Sequence, residues 1–244
     1  MIVKTKAIVL TSIKYGDADL IVKCYTEEGL KTYLIKRIFK SKSKKSNASK
    51  KLNIAYFQPL THLNLTANHN NKGNLNSLRE AGVSYLYQSV ATDILKQSIA
   101  LFLAEVLSFT LKEEEKNEIL FQYIETSLIW LDNHSNTANF HLLFLLNLSK
   151  YLGFYPEIKD LKPAYFDLTE GVFTNNKPLT DYVTGDKLIL YKSLFGINFD
   201  AIERLQLNAK TRIILLEILL HYYKLHIPGF KTPKSLNVLK NVFE

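Results

Sequence analysis

The most constraining feature of this chain is a change of hydrophobic period about a third of the way along it. Up to about residue 67 the apolar residues come in short runs rich in Val, Ile, Thr and Tyr. These runs are separated by Gly, Pro and polar clusters, as strands joined by turns require. Beyond about residue 80 they recur at spacings of three and four, which is the period of helices. The two periods cannot share one element, so the chain is expected to hold a strand-built part, residues 1–80, and a helical part, residues 81–244.

Five strands are expected in the first part: residues 4–15, Leu20 to Thr26, Leu30 to Ile35, Leu52 to Phe57 and Leu60 to Ala67. Gly16-Asp17 and Glu27-Glu28-Gly29 read as turns, and Pro59 as a break, because proline cannot donate to a ladder. In the last strand Leu63 and Leu65 share one side, with His62, Asn64 and Thr66 on the other. Five short strands in so small a span would leave costly edges, which closure into a barrel removes. Among nucleic-acid binders the common five-stranded barrel is the OB-fold. The expected fold class is therefore α+β, an N-terminal five-stranded OB-fold β-barrel followed by a C-terminal α-helical domain.

Residues 68–77 carry five Asn and one Gly and are expected to be a polar loop ending the first domain. Leu95, Ile99, Phe102, Val106 and Phe109 then mark one face of a long helix. Glu113-Glu114-Glu115 interrupts, and Leu120, Tyr123, Ser127, Leu128 and Leu131 mark a second helix. Phe140 to Leu152 is apolar nearly all round, which places it at the centre of a bundle, with Gly153 as its cap. Residues 156–185 lack a helix period and read as an extended insertion. Helices resume at Leu188 to Leu194, Ile213 to Leu225 and Ser235 to Phe243.

Charge is as uneven as period. Residues 1–80 hold 15 Lys/Arg against 5 Asp/Glu, whereas the other 164 residues hold 16 against 18. The whole excess of +8 thus sits in the strand-built part, where an anionic partner should bind. Its densest run is Lys36 to Lys51, with eight basic residues, four serines and no acid. Such a run cannot bury apolar surface and repels itself, so a loop held between two strands is expected. Lys36, Arg37, Lys40, Lys42, Lys44 and Lys45 are the candidate phosphate contacts. Phe39 is the candidate base-stacking residue, and Tyr33 is expected in the barrel core instead.

Several chemistries are absent or weakly signalled. One cysteine, Cys24, excludes a disulfide framework and a multi-thiolate zinc site, and its apolar neighbours mark it as core. No glycine-rich phosphate loop and no nucleophile-elbow pattern occurs. Asp17 and Asp19 fit a Mg²⁺-dependent nuclease, but a carboxylate pair beside a turn more often caps its amides. His221 and His226 are five apart, off the spacing of helical metal ligands. The first residues run straight into a strand pattern and no apolar run is long enough to span a bilayer. A cytoplasmic protein without membrane contact is expected.

The ordered set of local patterns resembles the RecO family of bacterial recombination mediators. Ala7 to Leu10 followed by Tyr15-Gly16-Asp17-Ala18-Asp19 is similar to the family's opening, as is Tyr25-Thr26 before Gly29. Lys36 to Ser43 resembles its lysine-led basic stretch and Gln58-Pro59-Leu60 its strand-4 exit. Leu120-Phe121 and Leu152-Gly153-Phe154-Tyr155-Pro156 resemble its helical domain. There are two departures. Arg37 stands where glycine is expected, which should turn the loop's backbone differently. Where many members carry paired zinc-binding cysteines, this chain has Phe166 to Phe173, so the insertion should hold by packing without zinc or other cofactor. The resemblance implies no enzymatic turnover. It implies binding of single- and double-stranded DNA, annealing of complementary strands, and loading of the recombinase onto DNA coated by single-strand binding protein. It also implies RecR and the C-terminal tail of single-strand binding protein as partners. Two other readings stay open on the residues alone: an RNA-binding OB-fold module, and the nuclease using Asp17 and Asp19.

Overall fold

The computed structural model describes residues 1–39, 52–70, 75–112 and 115–243. It divides into two compact units, one of Met1–Thr92 with Ala100–Thr126, the other of Asp93–Ile99 with Ser127–Glu244.

The first unit is built on a closed five-stranded barrel. Its strands are β1 (Ile2–Tyr15), β2 (Asp19–Thr26), β3 (Gly29–Ile35), β4 (His62–Asn68) and β5 (Asn76–Tyr85). Their order is β1-β2-β3-β5-β4, with β4 returning to β1, so no edge is left open. This matches the OB-fold expected for the N-terminal part. One strand can serve both sides of the closure because β1 is long and bulged. Its first half pairs with β4, its second half with β2, and the register shifts between Val9 and Thr11. Such a bulge bends the strand around the corner.

One expected strand is corrected and one unexpected strand takes its place. Residues Leu52 to Phe57 do not form a strand: Ile54–Phe57 is a single 3-10 turn, started by Asn53, whose Oδ1 accepts the Ala55 N–H at 3.0 Å. Hydrophobicity misled here because Phe57 is buried for a different reason. It plugs the barrel with Val9, Val22, Tyr33, Leu63 and Leu65. The fifth strand is β5, which crosses residue 80, where the composition shift put the domain's end. Its burial is patchy, so it has no clean alternation to read. It joins β3 in parallel through only two residue pairs, Tyr33 with Asn76 and Leu34 with Ser77. The buried Asn76 reinforces that short seam. Its Nδ2 donates to the Thr32 carbonyl at 3.2 Å, and its Oδ1 accepts the Asn70 N–H at 2.9 Å.

The helical pattern holds. The segments expected to be helical appear as α1 (Ile94–Thr110), α2 (Glu118–Asn133), α3 (Phe140–Tyr151), α4 (Gly185–Lys192), α5 (Ala209–His226) and α6 (Leu236–Phe243). In the second unit α3 is buried almost all round and packs against α5. Gly153 follows it at φ 84°, a left-handed position that suits a residue without Cβ. A further 3-10 segment, Phe199–Arg204, went unread in the sequence.

The expected insertion has structure of its own. Strands β6 (Tyr165–Asp167), β7 (Val172–Thr174) and β8 (Tyr182–Thr184) form a small antiparallel sheet with β6 in the middle. Phe166, fully buried, contacts Phe173, Tyr191 and Tyr222. An aromatic cluster therefore anchors the sheet. Among the described residues no helix is long and apolar enough to cross a membrane.

Candidate nucleic-acid interface

The basic run begins where three strand ends meet. The β1–β2 hairpin pairs Tyr15 with Asp19, and β2 pairs Leu20 with Ile35 of β3. Lys36 and Arg37 therefore leave β3 beside the tip of the first hairpin. Two hydrogen bonds fix this exit. The Arg37 N–H donates to Asp19 Oδ1 at 2.7 Å, and the Phe39 N–H donates to the Ala18 carbonyl at 3.1 Å. Ile38 packs against the barrel core between them.

Arg37 has φ 59°, in the left-handed region. The backbone takes a conformation that glycine adopts freely, and the Asp19 carboxylate helps hold it there. Left-handed backbone costs a residue with a Cβ ~1–2 kcal/mol. Asp19 thereby also takes the turn-capping role. Among the described residues no group of three or more His, Cys, Asp and Glu is placed to hold a metal ion.

The side chains on this barrel end are exposed. Lys14, Tyr15, Lys36, Arg37 and Phe39 are all solvent-facing, Tyr15 at 56% and Phe39 at 39%. The Lys14 ammonium lies 5.7 Å from the centre of the Phe39 ring, close enough for cation–π attraction. Ile13, 63% exposed, continues the surface onto neighbouring Ile21. Asp17 is exposed on the same turn. Sequence reasoning gave Lys14 and Tyr15 no role, because alternation cannot show that a hairpin tip projects beyond its barrel. Of the expected contacts, Lys36, Arg37 and Phe39 come together here. Lys40, Lys42, Lys44 and Lys45 lie outside the described residues.

The rest of the barrel surface suits phosphate less well. On β2 the side chains near the other end are covered within the same unit. Tyr25 lies 6.1 Å from Phe121 of α2, and Lys23 Nζ donates to the Ser108 carbonyl of α1 at 3.1 Å. Burial, and then nearby Lys112, lower the pKa of Lys23. On the β1–β4–β5 side a groove of about 890 Å³ contains Lys4 and Lys6 but also Glu27 and Glu80. Lys6 is already paired with Glu125 at 3.1 Å. That groove would set carboxylates against a polyanion.

The remaining candidates take structural places. Tyr33 is in the core as expected, its hydroxyl 3.0 Å from His69 Nε2. Cys24 is fully enclosed, and burial pushes its thiol pKa far up, away from reactivity. His221 meets Asp181 at 2.7 Å, while His226 meets the Leu168 carbonyl at 2.9 Å and stacks on Phe154.

Two family models match this chain. The model described as Recombination protein O N terminal covers residues 1–87, and Recombination protein O C terminal covers residues 91–236. A protein of Flavobacterium psychrophilum is 46% identical over 244 residues, and one of Christiangramia forsetii is 46% identical over 246. A third, from Bacteroides fragilis, is 36% identical over 249 residues. Each comparison spans 100% of both chains, and each relative bears the name DNA repair protein RecO.

Proposed function

The chain belongs to the RecO family of DNA repair proteins, and from that premise we propose that it is a DNA-binding mediator of recombination rather than an enzyme. In this reading it binds single- and double-stranded DNA and anneals complementary strands. It also helps load the recombinase onto DNA coated by single-strand binding protein. Its protein partners are RecR and the C-terminal tail of single-strand binding protein, the latter held mainly by the helical part. It acts in the cytoplasm.

The supporting observation is the barrel end, where exposed Lys14, Lys36 and Arg37 surround exposed Tyr15 and Phe39. Cations there meet phosphates, while the two rings offer stacking platforms that tolerate any base. Lys40, Lys42, Lys44 and Lys45 extend the same charge along the chain. One cationic segment can screen the repulsion between two strands, so binding and annealing should depend on the same residues. Asp19 accepts the Arg37 N–H, which favours the turn-capping role of a carboxylate beside a turn over the nuclease reading.

The test is anisotropy of a labelled single-stranded oligonucleotide across a salt series. Replacing Lys36, Arg37, Lys40, Lys42, Lys44 and Lys45 together by Ala should flatten the slope of log K against log salt by up to roughly 4 units, at ~0.7 per phosphate contact. Annealing should fail with it while the melting temperature stays. Unchanged affinity in a folded variant would overturn the proposal. Degradation of the strand with Mg²⁺ would favour the nuclease, and preference for a matched RNA would favour the RNA module.

A further inference from the structure

The barrel end carries one charge of the wrong sign for a phosphate site. Asp17 is exposed in the turn of the β1–β2 hairpin, among exposed Lys14, Lys36 and Arg37. Its carboxylate has no hydrogen bond or ion pair among the described residues. Asp19, by contrast, accepts the Arg37 N–H at 2.7 Å. Holding the loop exit accounts for Asp19 and leaves Asp17 without a structural task.

The tip stands clear of the fold. Tyr15 pairs with Asp19, so the turn runs from Gly16 to Ala18. Gly16 takes φ 57°, and a Cβ built on it would meet nothing within 4 Å. Ala18 is buried, and its carbonyl accepts the Phe39 N–H at 3.1 Å, which ties the base of the tip to the start of the basic run. Successive side chains of a strand point to opposite faces. Lys14 lies on the face that holds the Phe39 ring, 5.7 Å from its centre, and Tyr15 on the other. Asp17 thus sits between two exposed rings, beyond the last strand pair and with open space around the tip.

That position bears on which form of DNA the site accepts. A single strand has one backbone, which can lie on Lys14, Lys36 and Arg37 while its bases meet the rings. A duplex has two backbones, and they flank both of its grooves. A hairpin tip that approaches a duplex therefore carries its carboxylate toward the second backbone. Each phosphate brought within ~7 Å of that charge costs roughly two- to threefold in affinity. We infer that Asp17 is a specificity-determining residue: its charge disfavours paired strands at the barrel end and helps an annealed product leave. The inference rests on the barrel end being the DNA site.

The test is Asp17→Asn in the full chain, which removes the charge and keeps the shape. Anisotropy is measured with a labelled single strand and with the same strand in a duplex, at low and high salt. Duplex affinity should rise about fourfold or more, the effect of two phosphates, while single-strand affinity changes by less than about twofold. The duplex gain should shrink at high salt, where the charge is screened. In an annealing assay, preformed unlabelled duplex should inhibit Asp17→Asn at an about fourfold lower concentration than it inhibits the parent. The melting temperature should not fall, since no bond is lost. Asp17→Glu keeps the charge and should keep the parent's ratio of the two affinities. An equal gain on both DNAs, or no gain on the duplex, would overturn the inference. The variant with Lys36, Arg37, Lys40, Lys42, Lys44 and Lys45 replaced by Ala tells its failure from that of the site. If that variant loses DNA binding while Asp17→Asn behaves as the parent, the role of Asp17 falls and the site stands. If that variant binds DNA as the parent does, the site falls and the role of Asp17 with it.

Discussion

Replacing Arg37 by glycine sets two consequences of one residue against each other. At φ 59° the side chain is carried on left-handed backbone. Removing the Cβ relieves ~1–2 kcal/mol of local strain. Against this, glycine gains freedom in the unfolded chain, worth ~0.5–1 kcal/mol. The Arg37 N–H remains able to donate to Asp19, so that bond is kept. The net expectation is a stability change between zero and about +1.5 kcal/mol. DNA binding should move the other way. One lost phosphate contact lowers the salt slope by ~0.7, which makes affinity ~2.6-fold less sensitive to a change from 50 to 200 mM salt. Chemical denaturation of the full chain reads the first effect and oligonucleotide anisotropy the second. Arg37→Lys is the control: it keeps the charge and the strain and should leave both readings near the parent. A clear loss of stability in Arg37→Gly would refute the strain argument. An unchanged slope would refute the phosphate contact.

Phe39→Ala should weaken single-strand binding by ~1–3 kcal/mol if a base stacks on the ring; melting should barely shift, because the ring is exposed. Asn76→Ala removes its bond to Thr32 of β3 and its bond from the Asn70 N–H beyond β4 and should cost ~1–3 kcal/mol in a denaturation curve. At Gly171, φ is 70° and an added Cβ would lie 2.5 Å from the Tyr222 hydroxyl, which bonds the Phe154 carbonyl. Gly171→Ala should therefore destabilise by ~2–3 kcal/mol, strain plus one displaced bond, as a melting scan would show. Burial, and secondarily Arg212, hold the His141 pKa down at about 3. The unfolded chain takes up that proton near its ordinary value of ~6.5, so stability is full above that pH and falls by up to ~1.4 kcal/mol per pH unit as pH drops toward 3. A pH series of denaturation curves should be shallower for His141→Leu.

Much of the fold was readable because periodicity is a local property. Ile99, Phe102 and Val106 are buried along α1 as their spacing requires, and Leu63, Leu65 and Ala67 line the barrel through β4. The failures share one cause. Phe57 was read as part of a strand because burial leaves the same apolar mark whether a residue lines a barrel or plugs it. The strand β5 was missed because only Asn76 along it is buried, so its long antiparallel pairing with β4 leaves no apolar alternation.

The candidate site divides in the same way. Charge is additive along a chain, so the sequence alone determined that the barrel-forming third carries the positive excess, and that Lys36 begins its densest run. Family membership too was legible in ordered local motifs. Whether a side chain faces solvent depends on residues far away in sequence. Only the tertiary structure decided that Lys14 and Tyr15 join Lys36, Arg37 and Phe39 at one barrel end. It also decided that Lys23 is spent on a carbonyl of α1, and that Asp19 holds the backbone of Arg37. Those placements follow from strand register and barrel closure, which pair positions tens of residues apart and leave no trace in any local window.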